Sequence, residues 1–217
     1  MLRRNRLYTK KEPDKDATVF YIFCEGKDRE PEYFRFFEGI DSKIKFEIIA
    51  TGHHDDNSPV GLYEKASNFI IKTDENPYPK YELADVDKVW FVIDTDEWKD
   101  KIKTLRRKCE GHANWLIAQS NPCFEIWLYY HFHDQKPLRE QVENANGMKA
   151  YLNQQIKGGF DSRAHPKYIQ TPVVNSEQNF ANENDEPKEY STNLHELAKQ
   201  ILPLIKSGLD SILNESQ

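Results

Sequence analysis

The chain has 217 residues, of which 38% are hydrophobic, 30% charged and 12% aromatic. That length suits one generous domain or a small core with an appendage, and it can bury a core without disulfide or metal staples. The aromatic content excludes wholesale disorder, and a net charge of −6 argues against a general nucleic-acid coat protein.

Charge says more by position than in sum. Arg3, Arg4, Arg6, Lys10 and Lys11 all precede the first acid, Glu12; without them 25 basic residues face 36 acidic ones. This predicts a basic, flexible arm over residues 1–16 on an acidic body. Such an arm can follow phosphates or act only as a solubility tail. An acidic body also suits a site that gathers metal ions. No apolar run approaches the ~20 residues of a membrane span, and no apolar segment follows the N-terminal charges as in a secretory signal. Three cysteines with scattered spacing make no disulfide framework. The expectation is a cytoplasmic chain with free thiols and no membrane partner.

The elements alternate along the chain. Thr18–Cys24 (TVFYIFC) is a continuous apolar run of strand length, as in a strand covered on both faces. Pro31 then suits a first helical turn, and Tyr33, Phe36, Phe37 and Ile40 form a helical stripe. Lys45–Ala50 is predicted as a second strand, 51–59 as a loop, and Leu62, Ala66, Phe69 and Ile70 mark the next helix. Lys88–Ile93 (KVWFVI) is the clearest strand. Ile102, Leu105 and Cys109 line a charged helix that Gly111 can end. Asn114–Ala118 follows as a short strand. Asn121 as N-cap and Pro122 at the first position predict a helix start, and His131 and His133 fall near its end in structural roles.

Residues 133–171 read as helices and loops, and 175–190, rich in Asn and Glu, as an exposed, mobile acidic loop. Asn193 and Glu196 resemble a capping pair for a last helix striped by Leu194, Leu197, Ile201, Ile205, Leu209 and Ile212, with a kink at Pro203. The whole predicts an α/β fold: a mainly parallel sheet flanked by helices over 17–134, with a helical extension over 135–217.

In such sheets ligands bind beyond the carboxyl ends of the strands. Two places stand out. Glu25 directly follows the first strand beside the flexible Gly26, and Asp94-Thr95-Asp96 directly follows KVWFVI. Period-two geometry puts Asp94 and Asp96 on one side of an extended segment, where carboxylates can share a hard cation such as Mg²⁺ (or Mn²⁺). Acids at strand ends also cap helices, so the Asp pair alone is weak; a strand-end Glu together with a strand-end Asp-x-Asp is more specific. Cys109-x-x-His112 with Cys123 or His131 matches no zinc spacing, and no Walker-type phosphate loop is present.

These residues carry a resemblance. Glu after the first strand and Asp-x-Asp after a later one resemble the Toprim domain of topoisomerases, DnaG-type primases and OLD-family nucleases. More narrowly, FCEGKDREPEYF (Phe23–Phe34), VIDTDE (Val92–Glu97), SNPCFEIWLYYHF (Ser120–Phe132) and STNLHELA (Ser191–Ala198) resemble the RloB-like family of bacterial abortive-infection and phage-defence proteins, regarded as Toprim-related. Arg29 departs from the pattern, where a small hydroxyl residue is expected. The resemblance implies a Toprim-like, Rossmann-like core in which Glu25 is a general acid/base or metal ligand and Asp94 and Asp96 bind metal. It further implies that Glu30 is a second acid of the catalytic set and a candidate ligand for a second metal, though a surface acid at a helix start is the alternative.

Glu125, a carboxylate in an apolar stretch, must face outward or have a partner; with Asn121 it is a supporting candidate. Lys27, Arg3, Arg4 and Arg6 are candidates for substrate phosphates. The function this implies is a Mg²⁺-dependent nuclease acting on RNA, such as tRNA, or on DNA in antiphage defence. The alternatives are a nucleotidyl- or phosphoryl-transfer enzyme, or a non-catalytic binding subunit beside a partner ATPase.

Overall fold

The computed structural model describes residues 8–52, 55–95, 98–142 and 145–215. The elements are, in chain order, β1 (Thr18–Cys24), α1 (Arg29–Arg35), β2 (Ile44–Ile49), α2 (Pro59–Ile70), β3 (Lys88–Asp94), α3 (Lys99–Cys109), β4 (Trp115–Asn121), α4 (Glu125–Tyr129), α5 (Ala145–Gln155), α6 (Gln170–Gln178), β5 (Asn182–Glu183), β6 (Glu186–Pro187), β7 (Ser191–Thr192) and α7 (Leu194–Glu215). Among the described residues five strands form one sheet in the order β2-β1-β3-β4-β7. The first four are parallel and β7 is antiparallel to β4. The protein is therefore an α/β fold of the Rossmann or Toprim-like kind.

Both faces of the sheet are covered, which is why its strands read as unbroken apolar runs. Phe20, Ile22, Cys24, Trp90, Val92 and Ala118 pack in one core with side chains of α1, α4 and α7. The alternate residues Tyr21, Phe23, Val89, Phe91, Ile93 and Trp115 form a second core with α2 and α3. So α1, between β1 and β2, covers one face, and α2, which carries the chain back across β1 to β3, covers the other. The crossovers diverge between β1 and β3, and that is where the doubly wound arrangement opens its crevice.

The helices beyond residue 134 share the first core: Leu194, Leu197, Ile201, Ile205, Leu209 and Ile212 of α7 are all buried. Their spacing is the expected helical stripe, and Pro203 lies inside this helix. No helix of the described residues is long and apolar enough to cross a membrane.

Several expectations are corrected. Residues 8–16 of the arm are docked: Tyr8 donates to the carbonyls of Phe36 and Glu38, Lys10 pairs with Glu38 at 2.7 Å, and the Lys11 and Asp14 amides bond the Gly39 and Ser42 carbonyls. The segment expected as an acidic loop holds the end of α6 and the β5–β6 hairpin. Asn121-Pro122 does not open a helix; Asn121 is the last residue of β4 and α4 begins at Glu125. Asn193 does not cap α7 with its side chain. Its carboxamide instead accepts from the Gln119 amide (2.6 Å) and donates to the Ile117 carbonyl (3.1 Å), closing the free edge of β4.

Candidate metal and phosphate site

The register of β1 against β3 sets Cys24 opposite Val92, so Glu25 emerges level with Ile93 and Asp94 ends its strand one step further on. The Glu25 amide extends this ladder to the Val92 carbonyl at 3.0 Å. Alternation along the strands would send Glu25 toward the α3 side, with Phe23, and Asp94 toward the α4 side, with Val92. The hydrogen bonds agree with that split and then close it. Glu25 Oε1 accepts from the Trp98 indole N–H at 2.7 Å, just before α3, while its Oε2 accepts from the Asp94 amide at 3.0 Å. Asp94 Oδ1 accepts from the Phe124 amide at 2.8 Å, just before α4. The two residues thus straddle the carboxyl edge of the sheet and are joined across it. Thr51 fastens the β1 end, its hydroxyl reaching the carbonyls of Cys24 (2.7 Å) and Glu25 (2.9 Å).

Two further acids lie on the α4 side. Glu30, in the first turn of α1, is buried, so the surface-acid alternative is corrected. Burial raises its carboxyl to about 7, with further upward pressure from Glu125 and Glu25 that Lys149 of α5 partly offsets. Glu125, the first residue of α4, is also buried. Burial pushes the Cys123 thiol far up, and Glu125 and Asp94 push it further, so Cys123 lies between the fields of both. Glu25, Glu30, Glu125 and Asp94 therefore form one electrostatically linked run of carboxylates. Gly26 makes room for it: a Cβ there would sit 2.0 Å from Glu30 Oε2. Gly26 serves close approach rather than flexibility, and no side-chain cap is present at Asp28 ahead of Arg29.

The run consists of hard oxygen donors whose mutual repulsion a divalent cation would relieve. Among the described residues no group of three His, Cys, Asp or Glu side chains is close enough to hold a metal ion as it stands. Asp96, the expected partner of Asp94, lies outside the described residues, as do Arg3, Arg4 and Arg6. Asn121 is not brought to the acids; its carboxamide donates to the Pro187 carbonyl at 2.8 Å. Lys27 is exposed on the turn after Glu25. The imagined zinc ligands are dispersed into packing. His112 stacks on Trp115 with ring centroids 4.3 Å apart, and His131 is buried with Nε2 3.1 Å from the Tyr33 hydroxyl.

The family model for RloB-like proteins matches residues 20–201, a span running from β1 into α7. The chain belongs to the RloB-like family. No curated protein and no solved structure matches it. The RloB-like match contains all four linked acids, whereas the basic arm lies outside it. Trp98, Thr51 and Lys149 went unnoticed in the sequence. Their contacts are long-range, and a tryptophan four residues after a strand carries no signal of a carboxylate partner.

Proposed function

We propose that this RloB-like protein is a Mg²⁺- or Mn²⁺-dependent nuclease that hydrolyses phosphodiester bonds of RNA, such as tRNA, or of DNA in antiphage defence. The observation that carries this proposal is the run of four acids at the sheet's switch point, in which Glu25 is bonded to the Asp94 amide and Glu30 and Glu125 are buried, burial raising the Glu30 carboxyl to about 7. A metal ion bound by Asp94, Asp96 and Glu25 would stabilise charge developing on the phosphate oxygens and lower the pKa of an attacking water.

The remaining work falls to the protein's own groups. Trp98 and the Asp94 amide orient Glu25, which is the base that receives the water's proton. Glu30, whose affinity for a proton is matched to neutral pH, is suited to return one to the leaving oxygen. Lys27, exposed two residues after Glu25, and Lys149, whose charge acts on Glu30, are cations suited to hold the phosphate backbone. A non-catalytic binding subunit is the second reading. It is favoured by the commitment of both Glu25 oxygens to internal donors.

Incubation with labelled RNA and DNA pools, in Mg²⁺, in Mn²⁺ and in chelator, separates the two. Metal-dependent product from one pool supports the nuclease and names its substrate. Retention of nucleic acid with no product in any condition supports the binding subunit.

A further inference from the structure

We propose that Arg106 and Gln119 are positioning residues that hold Asp94 in place through the Thr95 hydroxyl. The proposal rests on the metal-dependent reading above. Gln119, on β4, and Ser120 beside it are fully buried, and Thr95 is nearly so. A buried carboxamide is costly unless its donors and acceptor are satisfied, and here each bond dictates the next.

The Arg106 guanidinium can only donate, so the oxygen of the Gln119 carboxamide must face it, at 2.5 Å. The Gln119 nitrogen is thereby turned to Thr95, where it donates to the hydroxyl oxygen at 2.8 Å. That leaves the Thr95 hydroxyl hydrogen for the Ser120 carbonyl, also at 2.8 Å. The chain has one direction and one arrangement, running from α3 through β4 to the residue that follows Asp94.

The base of the chain is fixed as well. Asn193 clamps the Gln119 backbone, its carboxamide oxygen accepting from the Gln119 amide and its own amide donating to the Gln119 carbonyl at 3.1 Å. At the far end the Thr95 amide bonds the Pro122 carbonyl at 3.2 Å, and the Asp94 carboxylate takes the Phe124 amide. The link through Gln119 is a side-chain tie between this turn and α3. The Asp94 turn is thus gripped from the α4 side by the Phe124 amide on the carboxylate and the Pro122 carbonyl on the Thr95 amide, and from the α3 side by the Arg106–Gln119–Thr95 chain. A cation that needs Asp94 at a set angle depends on both grips, since partners that orient metal ligands typically contribute ~10–100-fold in affinity.

The test is Mn²⁺ affinity of the full chain, measured by calorimetry and by the loss of the free-ion electron paramagnetic resonance signal. Gln119→Leu and Arg106→Met should weaken Mn²⁺ binding ~10-fold or more, with unchanged far-ultraviolet circular dichroism. Arg106→Lys, which keeps a donor on a similar stem, should restore most of the affinity. If Gln119→Leu fails to fold, Thr95→Val against Thr95→Ser asks the same question, because only the first removes the hydroxyl. The serine variant should bind like wild type and the valine variant weakly. Wild-type affinity in the folded Arg106→Met and Thr95→Val proteins overturns the positioning role while leaving the metal site standing. A wild-type protein that takes up no Mn²⁺ overturns the metal reading itself, and the positioning role with it.

Discussion

Replacing Glu30 with glutamine should stabilise the metal-free protein at pH 8 and leave it nearly unchanged at pH 5. Glu30 is 6% exposed, and its carboxyl is raised from an ordinary 4.5 to about 7, chiefly by burial. An acid with a raised folded-state pKa binds protons more tightly in the folded chain. Its contribution is intact below pH 4.5 and is lost as pH rises through 7. That interval corresponds to about 3 kcal/mol when fully traversed. Glutamine mimics the protonated form and has no charge to bury. The stability difference should therefore grow from under about 1 kcal/mol at pH 5 to about 3 kcal/mol at pH 8, the latter roughly 6–12 °C in Tm for a chain of this size.

His131 works in the opposite sense. Burial lowers it from 6.5 to about 3, so its contribution is intact above 6.5 and is lost as pH falls toward 3. The two slopes oppose each other between pH 4.5 and 6.5, and the glutamine variant should show the acid-side loss undiluted. Urea denaturation in chelator at pH 5, 6, 7 and 8, with unchanged m-values, makes the comparison. A difference independent of pH, or a Glu30→Gln protein less stable at pH 8, would refute the assignment of a strained buried carboxyl.

Three further outcomes are expected. Gly26→Ala should cost about 1–3 kcal/mol, because Glu30 is too buried to swing clear of the new methyl; a Glu30→Ala background should remove most of that cost, and a purely additive double mutant in urea denaturation would contradict the contact. Trp98→Phe keeps an aromatic ring but removes the donor to Glu25, and should slow cleavage about 10-fold or more, the equivalent of one hydrogen bond to a charged group, while lowering Tm by only several degrees; equal rates in the folded variant would show that the indole does not orient Glu25. Neutralising Arg3, Arg4 and Arg6 should weaken nucleic-acid binding and flatten its salt dependence, whereas Lys10→Ala should not, because Lys10 is paired with Glu38 before β2, roughly a strand length of ~20 Å from the carboxyl ends. A salt titration unchanged by the arginine substitutions returns the arm to a solubility role.

The strands covered on both faces were legible because burial makes them unbroken apolar runs, and β1 falls at the bounds expected for it. β4 runs to Asn121 rather than Ala118. Its last residues, Gln119, Ser120 and Asn121, are polar yet bonded to Thr95, Thr192 and Pro187, and hydropathy cannot register polar groups satisfied by distant partners. β7 is two polar residues whose strand character exists only through pairing with β4. The Asn121-Pro122 pair looks like a helix start because cap chemistry is local, but the Asn121 carboxamide is taken by the hairpin instead. Glu25 and Asp94 were legible as acids at strand ends. That Glu30 and Glu125 are buried beside them followed only from the packing of α1 against α4.

The most direct test of the catalytic assignment is cleavage by Glu25→Gln in Mg²⁺ beside the wild type in Mg²⁺ and in chelator. Glutamine keeps the size of Glu25 and an oxygen to accept from Trp98 or the Asp94 amide, but it cannot take up a proton or bind metal as an anion. The rate should fall ~10²-fold or more, the scale of a lost general base, with Tm preserved and with wild-type activity abolished by chelator. A folded Glu25→Gln protein that cuts at the wild-type rate, or a wild type that cuts equally well in chelator, would contradict the account.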